Sequence, residues 1–521
     1  MHRGNRPPGR CPLITRFMTT PTAPRAFSSA PVWAHPLFWL AFFALAHIVV
    51  RVAASPALKW DEAEQMLWTQ QLSMGYGSQP PLYTWLQWLV NQVVGPSVLS
   101  LSVLKHSLLA LTYAFMYLAA REVLDERGAF WASASMLLMP PLGWYSVRDQ
   151  THTVLVTAMV CAAWWLLLRI VRKPRALDFA LLGLVCGLGM LAKYSFAMVA
   201  VAMLLAALSV RTTRIALLSH GWWWAPIVGL LVVLPHAVWL FSHLGEATAE
   251  TIDKMNIQPE VGWGQGFLSL VEGVAGSLLL WVVIALWAFR ANWWRTPVAP
   301  ASPAIHQVLL RFLMLVMLAL AGMVLFAGVT SFKGRWMLPL LCVAPLAAFA
   351  ARPRLQQDPR GGRYSVAIFG IAVILLVAAG VRPWFSGLRG QVDELNHPTV
   401  ELAQELRKAG YDGLGTIVAS DHMLAGMLRV RFPQALVDTC ISAKNGLPQC
   451  VADHAERSRQ AGKGLLLVSR ADRIVPGWWE QALSRVAPQP VRFIDLPFRM
   501  VREGTPAAHY GYVWYTPAQR P

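Results

Sequence analysis

The stretch THTVLVTAMVCAAWWLLLRIVRKPR, residues 151–175, decides the fold class of this chain. Residues 151–169 are mainly apolar, and Arg172, Lys173 and Arg175 follow within a few positions. A bilayer crossing takes about 20 mainly apolar residues, and loops that remain in the cytoplasm are rich in Lys and Arg. The stretch therefore predicts a transmembrane helix whose C-terminal end faces the cytoplasm.

The composition of the whole chain agrees with this interpretation. Of 521 residues, 56% are hydrophobic and 14% are charged, with a mean hydropathy of +0.45, whereas about a quarter of the residues in soluble domains are charged. This composition excludes an ordinary soluble enzyme. We predict a mainly α-helical, polytopic membrane protein of about eleven transmembrane helices. The predicted spans lie near residues 36–53, 99–119, 129–146, 151–169, 176–192, 194–210, 222–242, 267–289, 307–330, 336–351 and 364–384.

Basic residues occur at every second loop, and this alternation predicts the orientation. The formal net charge of +18 is spread between apolar runs, so it indicates membrane topology and not nucleic-acid binding. With an odd number of crossings, residues 1–35 form a cytoplasmic leader, residues 36–384 a transmembrane domain and residues 385–521 a periplasmic domain. The predicted inner loops contain Arg121, Arg127, Arg169, Arg172, Lys173, Arg175, Arg211, Arg214, Arg290, Arg295, Arg352, Arg354, Arg360 and Arg363.

The C-terminal region has the pattern of a small α/β domain, which could act as a lid, in acceptor recognition or as a scaffold. Cys440 and Cys450 share one polar segment of it and could form a small-loop disulfide in an extracytoplasmic setting. The long outer loop 243–266 is a candidate mobile cover of the active face. In the C-terminal region we predict a helix at 398–408 and strands at 415–420, 464–469, 491–496 and 510–515.

The remaining loops, which this topology places outside, contain both acids and bases. Ionisable residues at membrane level are costly and tend to be functional, although a single basic residue could merely anchor a helix end among the headgroups. We expect these side chains to converge on one face of the membrane. They are Asp61, Glu62, Arg148, Asp149, His152, Lys193, Lys333 and Arg335.

The acids of these loops are candidate catalytic groups. Asp61 and Glu62 lie where the first span emerges, and a carboxylate there could take the proton of an attacking hydroxyl. Asp61 is the preferred base, because Glu62 or Glu64 could simply complement a helix dipole. Asp149 lies in the short loop beside the start of span four and could hold a divalent ion together with Asp61, orient an acceptor or raise the pKa of Asp61; a salt bridge or helix cap is the structural alternative.

The bases of these loops are candidate ligands of a phosphate. Lys193 lies at the apex between spans five and six, and its desolvated ammonium would need an anion such as a lipid phosphate. Arg335 lies at a later apex and can bind a phosphate through two parallel hydrogen bonds. The further candidates for substrate binding are Lys333, Arg148, His152, Tyr76 and Tyr194.

Taken in order, these motifs resemble the GT-C superfamily, in particular the bacterial glycosyltransferase family 39-like membrane proteins related to protein O-mannosyltransferases and lipid A aminoarabinose transferases. The resemblance extends from Trp60 to about Asp438. Its strongest elements are Asp61-Glu62-Ala63 with Trp68, Gly75-Tyr76, Pro80-Pro81-Leu82, Asp149, Leu191-Ala192-Lys193-Tyr194-Ser195 and Phe332-Lys333-Gly334-Arg335-Trp336 followed by Pro339.

The resemblance implies the GT-C fold and an inverting transferase that takes a monosaccharide from a polyprenyl-phosphate carrier. It also implies an acid of the first outer loop, here Asp61, as the catalytic centre. Relatives often have an Asp-His pair ahead of the two prolines, where this chain has Ser78-Gln79. Details of acceptor and metal binding therefore do not carry over.

We predict a glycosyltransferase of the bacterial inner membrane with a periplasmic active site. Its partners would be the polyprenyl-phosphate sugar, membrane lipids and an envelope lipid, glycan or protein acceptor, and it would bind no nucleic acid. No cofactor is assigned beyond a possible divalent metal. The alternative is a transporter or flippase of a lipid-linked glycan, which should show broken, polar helices near the midplane. The ionisable residues at one end of the spans favour the enzyme.

Overall fold

The computed structural model describes residues 36–516 except 246, 248–261, 442 and 444. The predicted leader 1–35 lies outside the described residues, and so does most of the loop 243–266 that was expected to form a cover. The described chain is a bundle of long helices followed by a small α/β domain.

Eight of the described helical segments are long and apolar enough to cross a bilayer, judged by length and composition. Each coincides with a predicted span. They are α1 (Pro36–Ala54), α4 (Val98–Arg121), α6 (His152–Arg172), α10 (Trp224–Ser242), α11 (Trp263–Phe289), α13 (Pro303–Ala327), Gly334–Ala351, which is divided into α14 (Gly334–Leu341) and α15 (Ala344–Ala351), and α16 (Gly361–Leu388).

The other three predicted spans are also helical, but they are short or interrupted. The run 129–146 consists of α5 (Glu126–Ala134), a 3₁₀ turn and a π-helical turn, because Pro140 and Pro141 remove backbone donors in its middle. The run 194–210 is a bent pair, whereas 176–192 is one helix of 17 residues. The segments are α7 (Ala176–Ala192), α8 (Phe196–Ser209) and, after a bend of 114°, α9 (Arg211–Leu217). The chain is thus a multi-pass, mainly helical membrane protein.

The loops that are rich in basic residues meet at one end of the bundle. Several of them are joined there by ion pairs and hydrogen bonds, so the structure groups the loops that the charge pattern assigned to one side. A short helix, α12 (Ala291–Arg295), lies among them. The contacts are Arg172–Glu122 at 2.7 Å, Arg127–Gln356 at 3.2 Å, Asn292–Asp358 at 2.7 Å and Arg311–Ser209 at 2.8 Å.

The opposite end, called the domain end below, carries the α/β domain. The domain has a five-stranded sheet in the order β2-β1-β3-β5-β4, in which β1, β2 and β3 are parallel and β5 is antiparallel to β3 and β4. The four predicted strands are confirmed, whereas the three-residue β2 was not predicted. The strands are β1 (Thr416–Ala419), β2 (Leu436–Asp438), β3 (Leu465–Arg470), β4 (Arg492–Leu496) and β5 (Ala508–Tyr515).

Four helices complete the domain, and the predicted helix 398–408 is confirmed as the first of them. Aliphatic and aromatic side chains fill the space between the sheet and its helices, and all six residues of β3 are buried. The helices are α17 (Thr399–Lys408), α18 (His422–Arg431), α19 (Gly446–Gln460) and α20 (Trp478–Leu483).

The first loop at the domain end connects the bundle to the α/β domain. It contains α2 (Trp60–Trp68) and α3 (Leu82–Val94), and α2 packs directly on α18. A Cβ on Gly426 would lie 2.3 Å from the carbonyl oxygen of Ala63, so only glycine allows this approach. The Gln70 side chain donates to the Val437 carbonyl at 2.7 Å and accepts from the Val437 N–H at 2.8 Å. These contacts fix α2 between membrane helices and domain.

Candidate active site

A cavity of about 640 Å³ opens at the domain end between α2, the start of α6, the α7–α8 junction, α10, α13 and α14. One side is polar and the other side is lined by apolar residues of the membrane helices. The cavity brings together five of the predicted site residues: Asp61, His152, Lys193, Tyr194 and Arg335. The apolar side is lined by Met198, Leu240, Leu320, Met323, Trp336 and Leu340.

Asp61 lies in the first turn of α2 and is half-buried where it faces the cavity. Burial raises the pKa of its carboxyl to about 6, and the charges of Lys105, Arg335 and Lys193 offset this only in part. These cations act on Asp61 through charge and not through a hydrogen bond. The result is a carboxylate that is ionised at neutral pH but more basic than an ordinary aspartate.

Glu62, the next residue, differs from Asp61 because it is buried among cations and does not face the cavity. It is almost fully buried, and Arg51 of α1 bonds to both of its oxygens, at 2.6 and 3.2 Å. Lys105 of α4 lies 3.5 Å from the same carboxylate. Although burial alone would raise the pKa of Glu62, these cations hold it well below its usual range. Glu62 was predicted as a second catalytic acid, but it does not line the cavity, and its ion pairs connect α2 to two membrane helices.

The two cations of the cavity come from the tight apices between helices. Lys193 follows the last residue of α7 and donates to Thr153 at 2.8 Å, which directs its ammonium towards the start of α6. Arg335 lies in the first turn of α14 and is half-buried. Both side chains line the cavity together with Asp61, so an anion bound between them would lie opposite a carboxylate.

The side chains of Tyr194 and His152 are oriented by polar contacts to neighbouring residues. The Tyr194 hydroxyl lies 3.2 Å from Nε2 of His236, whose Nδ1 lies 2.5 Å from the Met74 carbonyl oxygen. The ring nitrogens of His152 lie 3.2 Å from the Gln65 amide and 3.3 Å from the Ala192 carbonyl. His152 is buried, so it acts as part of the cavity wall between α2 and α7.

Asp149 and Arg148 form an ion pair beside the cavity and do not line it. Arg148 Nε lies 2.5 Å from Asp149 Oδ2, and Arg382 lies 3.9 Å from Asp149 Oδ1. Arg382 in turn pairs with Asp393 of the following segment at 2.6 Å. Asp149 still lies close enough to Asp61 to raise its pKa. The salt bridge, which the sequence left open as an alternative to a catalytic role, is therefore present.

The two other predicted ligands lie elsewhere. Lys333 immediately precedes α14 and is not among the residues that line the cavity. Tyr76 lines a second recess, and its hydroxyl donates to the Gln71 carbonyl while it accepts from the Ser73 N–H. The structure thus separates these two residues from the five that meet in the cavity.

Sequence reasoning missed Arg51 and Lys105, the two buried cations beneath α2. They were passed over because each lies within an apolar run, but a charge inside a membrane span is itself a signal of a paired site. A divalent ion shared by Asp61 and Asp149, one of the alternatives left open above, stays a prediction; within the described residues these two do not belong to a group of three or more metal-type ligands. The one such group there is Asp438, Cys440, Cys450 and His454, and its cysteines form a disulfide.

Comparison with known proteins gives consistent results. Residues 78–239 match the family described as dolichyl-phosphate-mannose-protein mannosyltransferase. The chain is 32% identical over 93% of its length to the lipopolysaccharide core galacturonosyltransferase RgtA of Rhizobium johnstonii, of which 97% is covered. RgtB of the same organism is 29% identical, with 91% of this chain and 96% of RgtB covered.

Among solved structures, ArnT from Cupriavidus metallidurans bound to undecaprenyl phosphate superposes with a TM-score of 0.55. The sequences are 14% identical, and the alignment covers 91% of this chain and 98% of ArnT. Such a likeness at low identity reports the fold, which is that of a helix bundle with a small α/β domain at one end.

The fold and the site therefore define a membrane glycosyltransferase. The chain belongs to the GT-C superfamily, in the group related to the O-mannosyltransferases and to ArnT, and RgtA is a relative over nearly its full length. The predicted superfamily, fold class and enzyme class are confirmed. The transporter alternative is set aside, because the full-length relatives are transferases.

Proposed function

We propose that the protein transfers a monosaccharide, a hexuronic acid as in RgtA, from polyprenyl phosphate to a hydroxyl of an envelope glycolipid such as the lipopolysaccharide core. The observation that carries this proposal is the cavity in which Asp61 faces Lys193 and Arg335 beside an apolar wall. Two cations suit a phosphate, the apolar wall suits an isoprenoid chain, and the acid suits an attacking hydroxyl.

The proposed reaction is a single displacement at the anomeric carbon. The acceptor oxygen attacks this carbon, its proton passes to Asp61, and the bond between the carbon and the phosphate oxygen breaks. The electron pair of that bond leaves with the polyprenyl phosphate, and Lys193 and Arg335 stabilise the charge that develops there. Attack opposite the leaving group inverts the configuration of the sugar.

The raised pKa of Asp61 matches this role. A carboxylate with a pKa of about 6 is mostly ionised at neutral pH, yet it is a stronger proton acceptor than an ordinary aspartate. Glu62 contributes differently, because its pairing with Arg51 and Lys105 holds the helix that presents Asp61. Tyr194 and His152 would border the sugar.

We also propose that the domain end faces the periplasm of a bacterium, with the bundle in the inner membrane. Of the basic residues in the loops between membrane helices, most lie in the loops at the other end, as in cytoplasmic loops. The disulfide between Cys440 and Cys450 lies in the α/β domain, and disulfides persist in oxidising compartments. The proposed domain limits are those of the sequence prediction, although α16 extends to Leu388.

The test is reconstitution with defined substrates. Purified protein in liposomes receives polyprenyl-phosphate galacturonic acid and lipopolysaccharide from a strain that lacks the corresponding gene, and mass spectrometry follows the acceptor. We expect a mass increment of one hexuronosyl residue with the wild type and none with Asp61→Asn. An unmodified acceptor with every polyprenyl-phosphate sugar offered would overturn the proposal.

A further inference from the structure

A second recess of about 520 Å³ lies beside the cavity, between the first loop of the domain end and the α/β domain. We call it the domain groove. On the loop side it is lined by Leu67, Trp68, Gln70, Gln71, Ser73, Gly75 and Tyr76, and on the domain side by His422, Leu436, Val437, Asp438, Thr439, Cys440, Ala443, Cys450, His454 and Arg457.

The domain groove and the cavity lie along one stripe of α2. Trp60, Asp61 and Glu64 face the cavity, whereas Trp68, one turn after Glu64, and Gln71, which follows the end of the helix, line the groove. The Trp68 ring lies 6.3 Å from the ring of His152, a cavity residue, and the Trp60 ring lies 6.4 Å from that of His422, a groove residue.

The loop wall of the groove presents an aromatic surface. The rings of Trp68 and Tyr76 are stacked, with centroids 5.7 Å apart and an angle of 26° between their planes. Tyr76 is buried and its hydroxyl is bonded to its own loop, so the partly exposed ring of Trp68 is the one that a ligand can contact. Such a surface attracts the C–H-rich face of a polar molecule.

The domain wall presents a fixed set of polar groups. The disulfide joins Cys440, two residues after β2, to Cys450 in the second turn of α19, and His454 lies one turn further along that helix. His454 Nε2 consequently lies 2.8 Å from Asp438 Oδ2, and Arg457 Nη2 lies 3.2 Å from His454 Nδ1. The Asp438 side chain is 44% exposed, and the residue lines the groove.

Asp438 is held as a hydrogen-bond acceptor. Burial alone would raise its pKa, but the bond from His454 and the backbone N–H groups of Cys440 and Thr439 lower the pKa below its usual value. An ionised carboxylate, a guanidinium and two glutamine amides surround a space that also has an aromatic side. This mixture suits a molecule that carries many hydroxyls on a compact apolar frame.

We infer that the domain groove binds the saccharide part of the acceptor, next to the residue that receives the new sugar. The inference rests on the proposed function and names the acceptor as a glycan and not an acyl chain. Hydroxyls would bond to Asp438, Arg457 and Gln71 while one sugar face lies on Trp68, whose ring is stacked on Tyr76. The acceptor hydroxyl would then enter the cavity past the Trp60 end of α2.

The test measures glycan binding separately from transfer. The probe is the core oligosaccharide released from lipopolysaccharide by mild acid, which carries no acyl chains, and saturation-transfer NMR with the full-length protein follows its binding. We expect Arg457→Ala and Asp438→Asn each to weaken binding about tenfold, because each removes a charge-assisted hydrogen bond. Arg459→Ala is the matched control, because Arg459 lies on the same helix but pairs with Glu456 at the surface.

Three outcomes would overturn the inference: no binding by the wild type, unchanged binding by both groove variants, or an equal loss in Arg459→Ala. The affinity for undecaprenyl phosphate should stay at the wild-type level in the groove variants, and a loss there would assign the groove to the donor. Asp61→Asn should bind the oligosaccharide like the wild type. A failure of transfer with intact glycan binding would therefore count against the proposed function alone.

Discussion

The cavity and the domain groove lie against the same short helix, but different forces build them. The cavity is set by charges that come from distant membrane helices, with Asp61 facing cations and Glu62 neutralised by Arg51 and Lys105. The groove is set by hydrogen bonds between the Gln70 side chain and the Val437 backbone and by one disulfide of the α/β domain. Disturbing the cavity should therefore change chemistry or membrane packing, whereas disturbing the groove should change recognition.

The largest effect on stability is expected from Glu62→Ala. It leaves Arg51 and Lys105 buried without their carboxylate, and loss of one partner of a buried ion pair costs about 3–5 kcal/mol. Thermal unfolding of the purified protein should start at a clearly lower temperature than in the wild type. Asp61→Asn is the control, since it removes a desolvated charge and should not lower the unfolding temperature. Equal destabilisation of both variants would contradict the different structural roles assigned to Glu62 and Asp61.

The two lysines of the apices should differ in their effect on donor binding. Lys193→Ala removes a cavity cation and should raise the KM for the polyprenyl-phosphate sugar about 10- to 100-fold, the range expected for a charge-assisted bond. Lys333→Ala removes a charge of the same type that does not line the cavity. It should change KM less than about threefold, which corresponds to about 0.6 kcal/mol of binding free energy. Equal changes of KM in the two variants would contradict the assignment of Lys193 to the phosphate site.

The rate of transfer should fall at acidic pH, because Asp61 accepts a proton only as a carboxylate. Its pKa is raised to about 6, so the active fraction should fall about tenfold for each pH unit below that value. A raised carboxyl pKa makes the folded state more stable on acidification, so this group does not itself cause unfolding there. A single-turnover rate that stays constant from pH 7 to about pH 4 would show that another group accepts the proton.

The smallest effect is expected at the contact between α2 and the domain. Gln70→Ala removes two hydrogen bonds to Val437, worth about 1–2 kcal/mol together. Limited proteolysis between α2 and α3 should become faster while the unfolding temperature of the whole protein changes little. Gln71→Ala is the comparison, because Gln71 also lines the groove but is not the residue that bonds to Val437. Identical rates of proteolysis in both variants would contradict the role of Gln70.

The sequence predicted the cavity well because its residues lie at the apices of apolar runs. Lys193, Arg335 and Asp61 each stand at a point where a helix must begin or end at membrane level, so their convergence followed from topology. Glu62 was misjudged because its partners are 11 and 43 residues away in the chain and inside spans. Local sequence does not show such pairs.

The groove could not be predicted because it exists only after α2 docks on the domain. Its two walls come from residues 67–76 and 422–457, and the three-residue β2 that carries Asp438 is too short for an alternating pattern. The disulfide was correctly named as a possibility, but its effect of placing His454 against Asp438 depends on the fold. Likewise, the break of the predicted span 129–146 was visible only as two adjacent prolines.

The most direct test of the account compares two properties of Asp61→Asn on one preparation: the single-turnover transfer rate and the affinity for undecaprenyl phosphate. Loss of a general base should lower the rate about 10³-fold, while Lys193 and Arg335 should keep the lipid affinity within about twofold of the wild type. Transfer at the wild-type rate, or a loss of lipid affinity as large as that of Lys193→Ala, would contradict the assignment of Asp61 as the base.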